Sequence, residues 1–419
     1  MTSPPEPRQP PAALLRHFRP ADLRAAAQLV AEATHGVIDI TEGVHQSVRR
    51  RLGLPEGASA ERTGGLTGQI YRAVRGVTGL VGRGSHAALG AFLPLLDDPA
   101  THPDASPQRE AVLAALNGVL GDRLRALGNP LALTMQLRLG GLPLVPGQPV
   151  LADRAPDVRP HLLLLIHGLC MHDGQWHRQG HDHGAFLAPL LDATPLYLRY
   201  NSGLHISTNG RELASVLEQV VAAWPVPPER LTVIGHSMGG LVARSAVAIA
   251  RQQGLRWPGL LRELVFLGTP HHGAPLERAG HGADWLLASN AFSAPFARLG
   301  RIRSAGITDL RHGCVQDADW QGRDRFASGA DHRQPLPLPD GVRCYAVAAT
   351  LAGQRSRLAE RLTGDGLVSV DSALGRHDDP AKVLSFAPGH QCIVHRTGHL
   401  DLLSSLRVAR QLQAWLRPG

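Results

Sequence analysis

"LTVIGHSMGGLVAR", residues 231–244, decides how the rest of the chain is to be read. Residues 231–234 have strand character, and Leu241, Val242 and Ala243 resume an apolar pattern suited to a helix, so Ser237 falls at the bend between them. A Gly-x-Ser-x-Gly turn holds its central residue in strained backbone space, and the positions two before and two after must be tiny. Gly235 and Gly239 meet that need. The pentapeptide also suits an ordinary strand-to-helix turn that favours small residues, so the flanking sequence has to separate the two readings.

On both sides of the turn, strand and helix patterns alternate. "HLLLLIHGL" (161–169) is the continuous apolar run of a buried central strand, and "MQLRLGGLPLV" (135–145) reads as an antiparallel ribbon around Gly140 and Gly141. There follow "PLYLRYN" (195–201), a helix from Asn209 to about Trp224, "RLTVIGHS" (230–237), a helix to about Gln253, and "LRELVFLGTP" (261–270). Asn209 is placed to cap the first of these helices, with Glu212 three residues on. Strands return with "VRCYAVAAT" (342–350) and "CIVHRTG" (392–398), and an amphipathic helix through Leu402, Leu403, Leu406, Val408, Leu412 and Leu416 ends the chain. Such alternation with short links predicts an α/β fold with a mostly parallel sheet covered on both faces. The rhythm breaks between His271 and about Val342, where Trp285, Phe292, Phe296, Trp320 and Phe326 sit among glycines and charges; an insertion of this kind is expected to act as a cap or lid.

The first third differs. Residues 1–20 are proline-rich and predicted disordered, and residues 21–134 are expected to form a helical region. One stripe runs through Leu23, Val30, Val37 and Val44, a second through Leu66, Ile70, Val74, Val77 and Val81. The third helix is the clearest, with Ser106 as cap, Pro107 in the first position and Val112, Leu113, Leu116, Leu120, Leu124 and Leu127 along one face. The domain expected to carry chemistry is then 135–419. These stripes suit packing against protein more than docking on a membrane surface.

Composition narrows the function classes. With 419 residues, 43% hydrophobic and 19% charged, the chain is of globular type. Its net charge of +8 is arginine's doing, since Lys382 is the only lysine, and no aromatic-interleaved basic patch accompanies it, so no nucleic-acid partner is expected. Cys170, Cys314, Cys344 and Cys392 are scattered without zinc or disulfide spacing, and the chain starts with neither a signal-peptide pattern nor an apolar run long enough to span a membrane. A cytoplasmic location and no metal or other cofactor are the expectations.

A serine hydroxyl becomes a competent nucleophile when an imidazole takes its proton, and that imidazole needs a carboxylate to fix its tautomer. "TGDGLVSVDSALG" (363–375) offers Asp365 in a glycine-flanked loop after one strand, and "RTGHLDLLSS" (396–405) offers His399 between the last strand and last helix. Asp371 lies deeper in a following turn or helix, and His395 within a strand, so both rank below them as acid and base. Two backbone amides would complete an oxyanion hole: Met238, directly after the serine at a helix start, and Leu169, exposed by the His167-Gly168 turn. "CMHDGQWHRQGHDHGAF" (170–186) gathers His172, Asp173, His177, His181, Asp182 and His183, with His177 and His181 spaced to share a helix face; shaping the site entrance is preferred to binding a metal. His271 and His272 rank low as an alternative base.

Taken together, "HLLLLIHGL", "VIGHSMGGLVAR", "FLGTPHHGAPLER" (266–278), "GDGLV" (364–368) and "GHLDLL" (398–403) resemble the lipase-like α/β-hydrolases of bacteria, close to the group related to the GPI inositol-deacylases. The resemblance covers about 160–419. It implies an α/β-hydrolase fold, Ser237, Asp365 and His399 in the roles of nucleophile, acid and base, and hydrolysis of a lipid or other apolar ester. Acyl transfer to an alcohol or amide cleavage would use the same groups. A non-catalytic reading is a membrane-surface scaffold docking through the N-terminal helices.

Overall fold

The computed structural model describes residues 107–145, 158–274, 303–326, 331–353 and 364–417. The chain forms two compact units, one of Met1–Arg109 with Gly128–Leu131, the other of Glu110–Leu127 with Ala132–Gly419. The sheet, its helices and the cavity belong to the second. That unit begins upstream of the change of pattern near residue 135, because the helix before it joins the same core. The stripes expected in residues 21–100, the disordered start and the Ser106 cap lie outside the described residues.

In chain order the elements are α1 (Pro107–Ala126), β1 (Gln136–Leu139), β2 (Leu142–Pro143), β3 (His161–Ile166), α2 (His183–Leu191), β4 (Ala193–Arg199), α3 (Ile206–Ala222), β5 (Arg230–His236), α4 (Met238–Gln252), β6 (Leu261–Leu267), α5 (Ala305–Asp309), β7 (Arg343–Thr350), α6 (Val370–Ala373), β8 (Gln391–His395) and α7 (Leu406–Leu416). The strands make one sheet in the order β2-β1-β4-β3-β5-β6-β7-β8. From β4 to β8 every neighbouring pair is parallel; β1 runs antiparallel to both β4 and β2, the latter across Gly140 and Gly141.

The period of two along a strand sorts side chains between the faces. In β3, Leu162, Leu164 and Ile166 enter one core with Leu213, Leu217 and Leu241 from α3 and α4, while Leu163 and Leu165 enter the other with Leu187 of α2 and Val408, Leu412 and Leu416 of α7. A strand buried on both faces has no polar side to show, hence the unbroken apolar run. Because β3 leads to β4 on one side and β5 lies on the other, the sheet changes direction between β3 and β5. The carboxyl ends of those two strands flank the crevice where open α/β sheets bind ligands.

Several local expectations are corrected. Helix α3 starts at Ile206, not Asn209, and its cap residue His205 makes no side-chain cap bond. Asp309, from a distant segment, accepts from the Ile206 amide at 2.8 Å and does the capping, while Asn209 is buried one turn in and donates to the Asn201 carbonyl at 3.0 Å. On α1 the buried face is Ala111, Ala114, Ala115 and Val119 with Leu113, Leu116 and Leu124, whereas Val112 is 44% exposed. The closing helix is in two parts, a 3-10 turn at Leu400–Leu403 and α7, divided at Ser405, which caps α7.

The described part of the insertion is packed inward. Ile307, Leu310 and Val315 join the core on the α3/α4 face, Trp320 stacks on His205 with ring centroids 3.7 Å apart, and no strand forms among the described residues of 271–342. Trp285, Phe292 and Phe296 lie outside the described residues. Among the described helices none is long and apolar enough to cross a membrane.

Candidate active site

Strand β5 delivers Ser237 to its carboxyl end, and α4 begins at the next residue. Ser237 has φ 54° and ψ −125°, a region that costs a non-glycine residue of order 1–3 kcal/mol and persists only where surrounding structure enforces it. The enforcement is visible. The Ser237 amide donates to the Leu267 carbonyl at 2.8 Å, and its own carbonyl accepts from Gly240 at 3.1 Å. A Cβ on Gly235 would stand 2.6 Å from the Gly240 Cα, and one on Gly239 would stand 2.6 Å from the His167 carbonyl oxygen. No side chain fits at either place, which is why the turn reads Gly-x-Ser-x-Gly.

Asp365 and His399 come to the same end of the sheet from the loops after β7 and β8. His399 Nδ1 lies 2.7 Å from Asp365 Oδ2. The other carboxylate oxygen accepts from the Leu367 and Val368 amides at 2.9 and 2.8 Å, and the His399 amide donates to the Asp365 carbonyl at 3.1 Å. An ionised carboxylate only accepts, so the proton sits on Nδ1 and Nε2 keeps a bare lone pair. Both side chains are buried, and His399 and Ser237 line one cavity of about 290 Å³ with Gly168, Leu169, Met171 and Leu403.

Met238 is the first residue of α4, so its N–H has no acceptor within the helix, and no side chain caps that helix start. Leu169 follows the turn after β3 and lines the cavity. Gly168 lets the two loops approach: a Cβ there would be 3.1 Å from the Ser237 Cβ. The loop beyond is anchored from behind, where Arg199 Nε donates to Asp173 at 2.8 Å and the same guanidinium is paired with Glu110 of α1.

The rivals are elsewhere. Asp371 pairs with Arg376 at 3.2 Å, and His395 stays within β8. His271 is fully buried beside Arg244 and Phe266 and does not line the cavity; burial, then the Arg244 charge, pushes its imidazole well below the ordinary range. In the histidine-rich loop, Arg178 and His181 exchange backbone hydrogen bonds at 2.8 and 2.9 Å as a tight hairpin, so His177 and His181 share no helix face. His172 Nδ1 accepts from the Gly174 amide at 3.2 Å, Asp182 caps α2 through the Ala185 amide at 2.9 Å, and His183 Nε2 reaches the Leu402 carbonyl at 2.8 Å. His177 lines the cavity.

Two supporting residues escaped the sequence reading. His236, the residue before Ser237, donates from Nε2 to the His399 carbonyl at 3.1 Å, which ties the loop of one residue to the strand of the other. Burial, with nearby His399 as a lesser cause, pushes its imidazole well below the ordinary range, so it is neutral. Gly268, with φ +57°, sits beneath the pair: a Cβ there would meet Leu402 Cδ1 at 2.7 Å and stand 3.2 Å from both Asp365 Oδ2 and His399 Cε1. Neither carries a sequence signal of its own beyond adjacency to a strand end.

Residues 210–333 match the family model described as the PGAP1-like alpha/beta domain. Among solved structures the chain is similar to the mature Bacillus licheniformis lipase BlEst2 (16% identity, TM-score 0.42, 68% of this chain and 98% of that one). It is also similar to a lipase-esterase related protein from Clostridium acetobutylicum (14%, 0.33, 61% and 93%) and to the Streptomyces coelicolor RedJ thioesterase of prodiginine biosynthesis (16%, 0.33, 62% and 91%). A comparison with curated proteins returns no match. With the sheet order and the strand-turn-helix at Ser237, the chain has an α/β-hydrolase fold, and its residues 210–333 are similar to the PGAP1-like alpha/beta domain.

Proposed function

We propose that the protein hydrolyses carboxylic esters through an acyl-enzyme, with Ser237 as nucleophile, His399 as general base and Asp365 as its orienting acid. The observation that carries this reading is the hydroxyl at a positive-φ corner opening on the same cavity as an imidazole whose Nδ1 is held 2.7 Å from a buried carboxylate. Because that proton is committed to Asp365, Nε2 is the nitrogen free to take the Ser237 proton as Oγ attacks the ester carbonyl. Negative charge then develops on the carbonyl oxygen, and the Met238 and Leu169 amides are the donors for it, the first aided by the α4 dipole. Collapse expels the alcohol, which takes its proton from His399. Water, deprotonated by the same nitrogen, releases the acid and restores the serine.

Substrate class follows from the wall. Leu169, Met171, Leu367, Leu400 and Leu403 line the cavity, a surface suited to an acyl chain and hence to lipid-like esters. Labelling with a fluorophosphonate tests the nucleophile directly. The adduct is expected on Ser237 of the intact protein and is expected to vanish when His399 is replaced by alanine. A probe that reacts elsewhere, or not at all, removes the assignment.

A further inference from the structure

The wall of the cavity carries a charged group that ester hydrolysis as such does not use. Arg178 lines it from the hairpin after Trp176, its side chain 37% exposed. Its paired acid, Asp401, stands 3.9 Å away at the far limit of an ion pair and is itself 53% exposed. The buried Arg178 Nε meets no acceptor among the described residues. Arginines nearby are served quite differently: Arg199 is held by both Asp173 and Glu110. The hairpin is fixed in place by its own backbone bonds and by the Ser404 hydroxyl, which donates to Gln179 Oε1 at 2.9 Å.

Charge around the cavity is one-sided. Among its described lining residues Arg178 is the only one with a permanent charge, and none is a carboxylate. Asp365 lies behind His399 with its side chain 1% exposed. The start of α4 adds the positive end of a helix dipole. A guanidinium with spare donors beside an apolar wall is matched by a carboxylate or phosphate, whose oxygens it can take two at a time.

We propose that Arg178 recognises an anionic group on the substrate, so that the preferred ester combines an acyl chain with a carboxylate or phosphate within reach of the Ser237 carbonyl site. This inference rests on the ester-hydrolase reading above. The anion has two sources, the end of the acyl chain or the alcohol that leaves, and both are tested with the full chain. The first pair of substrates is p-nitrophenyl hemiglutarate against p-nitrophenyl pentanoate; the second is monododecanoylglycerol phosphate against monododecanoylglycerol, below the concentrations at which they form micelles.

The readout is the ratio of kcat/KM for the charged member to that for the neutral one. It is expected to favour the charged ester by about 10- to 100-fold in one pair, the range of a charge-assisted hydrogen bond, and that pair identifies the source. Arg178→Gln should bring the ratio close to one, Arg178→Lys should keep part of it, and added salt should lower it. Fluorophosphonate labelling of Ser237 in each variant shows that the site is still assembled. If wild-type Ser237 does not label, the ester-hydrolase reading fails and takes this one with it. A labelled protein with a ratio near or below one in both pairs, or a ratio unchanged in Arg178→Gln, overturns the role of Arg178 alone.

Discussion

The two ends of the sheet hold similar groups in opposite states. At the amino ends of the strands, a hydroxyl, an imidazole and a carboxylate lie side by side. His161 Nε2 is 2.8 Å from Thr232 Oγ1, which donates to Glu263 at 2.7 Å; Glu263 also accepts from Arg230 at 2.6 and 3.1 Å and is paired with Arg343. Register makes the cluster, because His161 pairs with Arg230, Thr232 with Glu263 and Glu263 with Arg343 across four adjacent strands. At the carboxyl ends stand Ser237, His399 and Asp365. Here the carboxylate bonds the imidazole from behind, and the hydroxyl opens on a cavity. Chemistry is therefore decided less by which groups meet than by whether one is left unsatisfied. The amino-end cluster is saturated and the carboxyl-end one is not.

That contrast breaks most sharply at the nucleophile. Ser237→Ala is expected to lower kcat for p-nitrophenyl esters by about ten-thousandfold or more, and Asp365→Asn by a similar factor because it loses the tautomer. Thermal melting should stay close to wild type for the serine variant, whose φ the alanine must also adopt. Turnover surviving in purified Ser237→Ala would erase the difference between the ends.

Acidification separates the buried imidazoles, which lie at both ends and include His161, from the paired carboxylate Glu263. Burial pushes His167 and His183 to about 4, and holds His236 well below the ordinary range. In the unfolded chain these rings titrate near 6.5, so between 6.5 and 4 the unfolded state binds more protons than the folded one. Stability present above pH 6.5 is therefore lost as pH falls through that window, by about 3 kcal/mol for His167 alone. Glu263 behaves differently. Burial works against its charge, but bonds from Arg230, Arg343 and Thr232 outweigh it and hold the carboxyl below its usual value of 4.5. Its stabilising share is intact above 4.5 and disappears only below. Melting temperature measured from pH 8 to 3.5 should begin to fall near 6.5, well before Glu263 is protonated; a flat profile down to 4.5 would contradict the buried neutral histidines.

The saturated end has the reverse mutational profile. Glu263→Gln leaves Arg230 and Arg343 facing a neutral amide; both guanidiniums reach solvent, so the cost is that of weakened charge-assisted hydrogen bonds, about 1.5–3 kcal/mol. Its expected signature is a large drop in melting temperature with turnover per folded molecule retained. Loss of turnover in a folded Glu263→Gln protein would mean that the two ends are coupled through the strands.

What the sequence made legible follows from the same distinction. Strand ends and the loops that follow them are local features, so the positions of Ser237, Asp365 and His399 after β5, β7 and β8 could be read from short stretches. The Gly-Gly ribbon and the two-faced burial of β3 were legible for the same reason. The saturated cluster was not, because its members come from four strands and no single stretch looks unusual. The buried face of α1 was read only in part: Leu113, Leu116 and Leu124 are buried as expected, but Val112 is exposed and the small residues were left out. Ala111, Ala114 and Ala115 are buried, and a Cβ on Gly118 would meet the Cys170 Cα at 2.9 Å, so close approach rather than side-chain size selects that face.

The smallest effect tests the contrast where two helices begin. At α4 the first amide, next to Ser237, is left without a side-chain cap, as an oxyanion donor requires. At α3 the corresponding amide, that of Ile206, is closed by Asp309 at 2.8 Å, and the same carboxylate lies 3.0 Å from His205 Nδ1. Asn209 reads as the local cap, but a cap must precede the helix, and the strand-to-helix link carries the chain into helical geometry three residues earlier. Asp309→Ala should cost about 1–2 kcal/mol and leave kcat/KM within about twofold, since the lost bond satisfies a helix start remote from Ser237. Asn209→Ala should act instead through the lost bond to the Asn201 carbonyl, by about 1 kcal/mol. The two costs should add if the sites are independent. A double variant whose loss clearly exceeds the sum would show that Asn209 takes over the cap when Asp309 is gone, and that the local sequence signal still describes an alternative start for the helix.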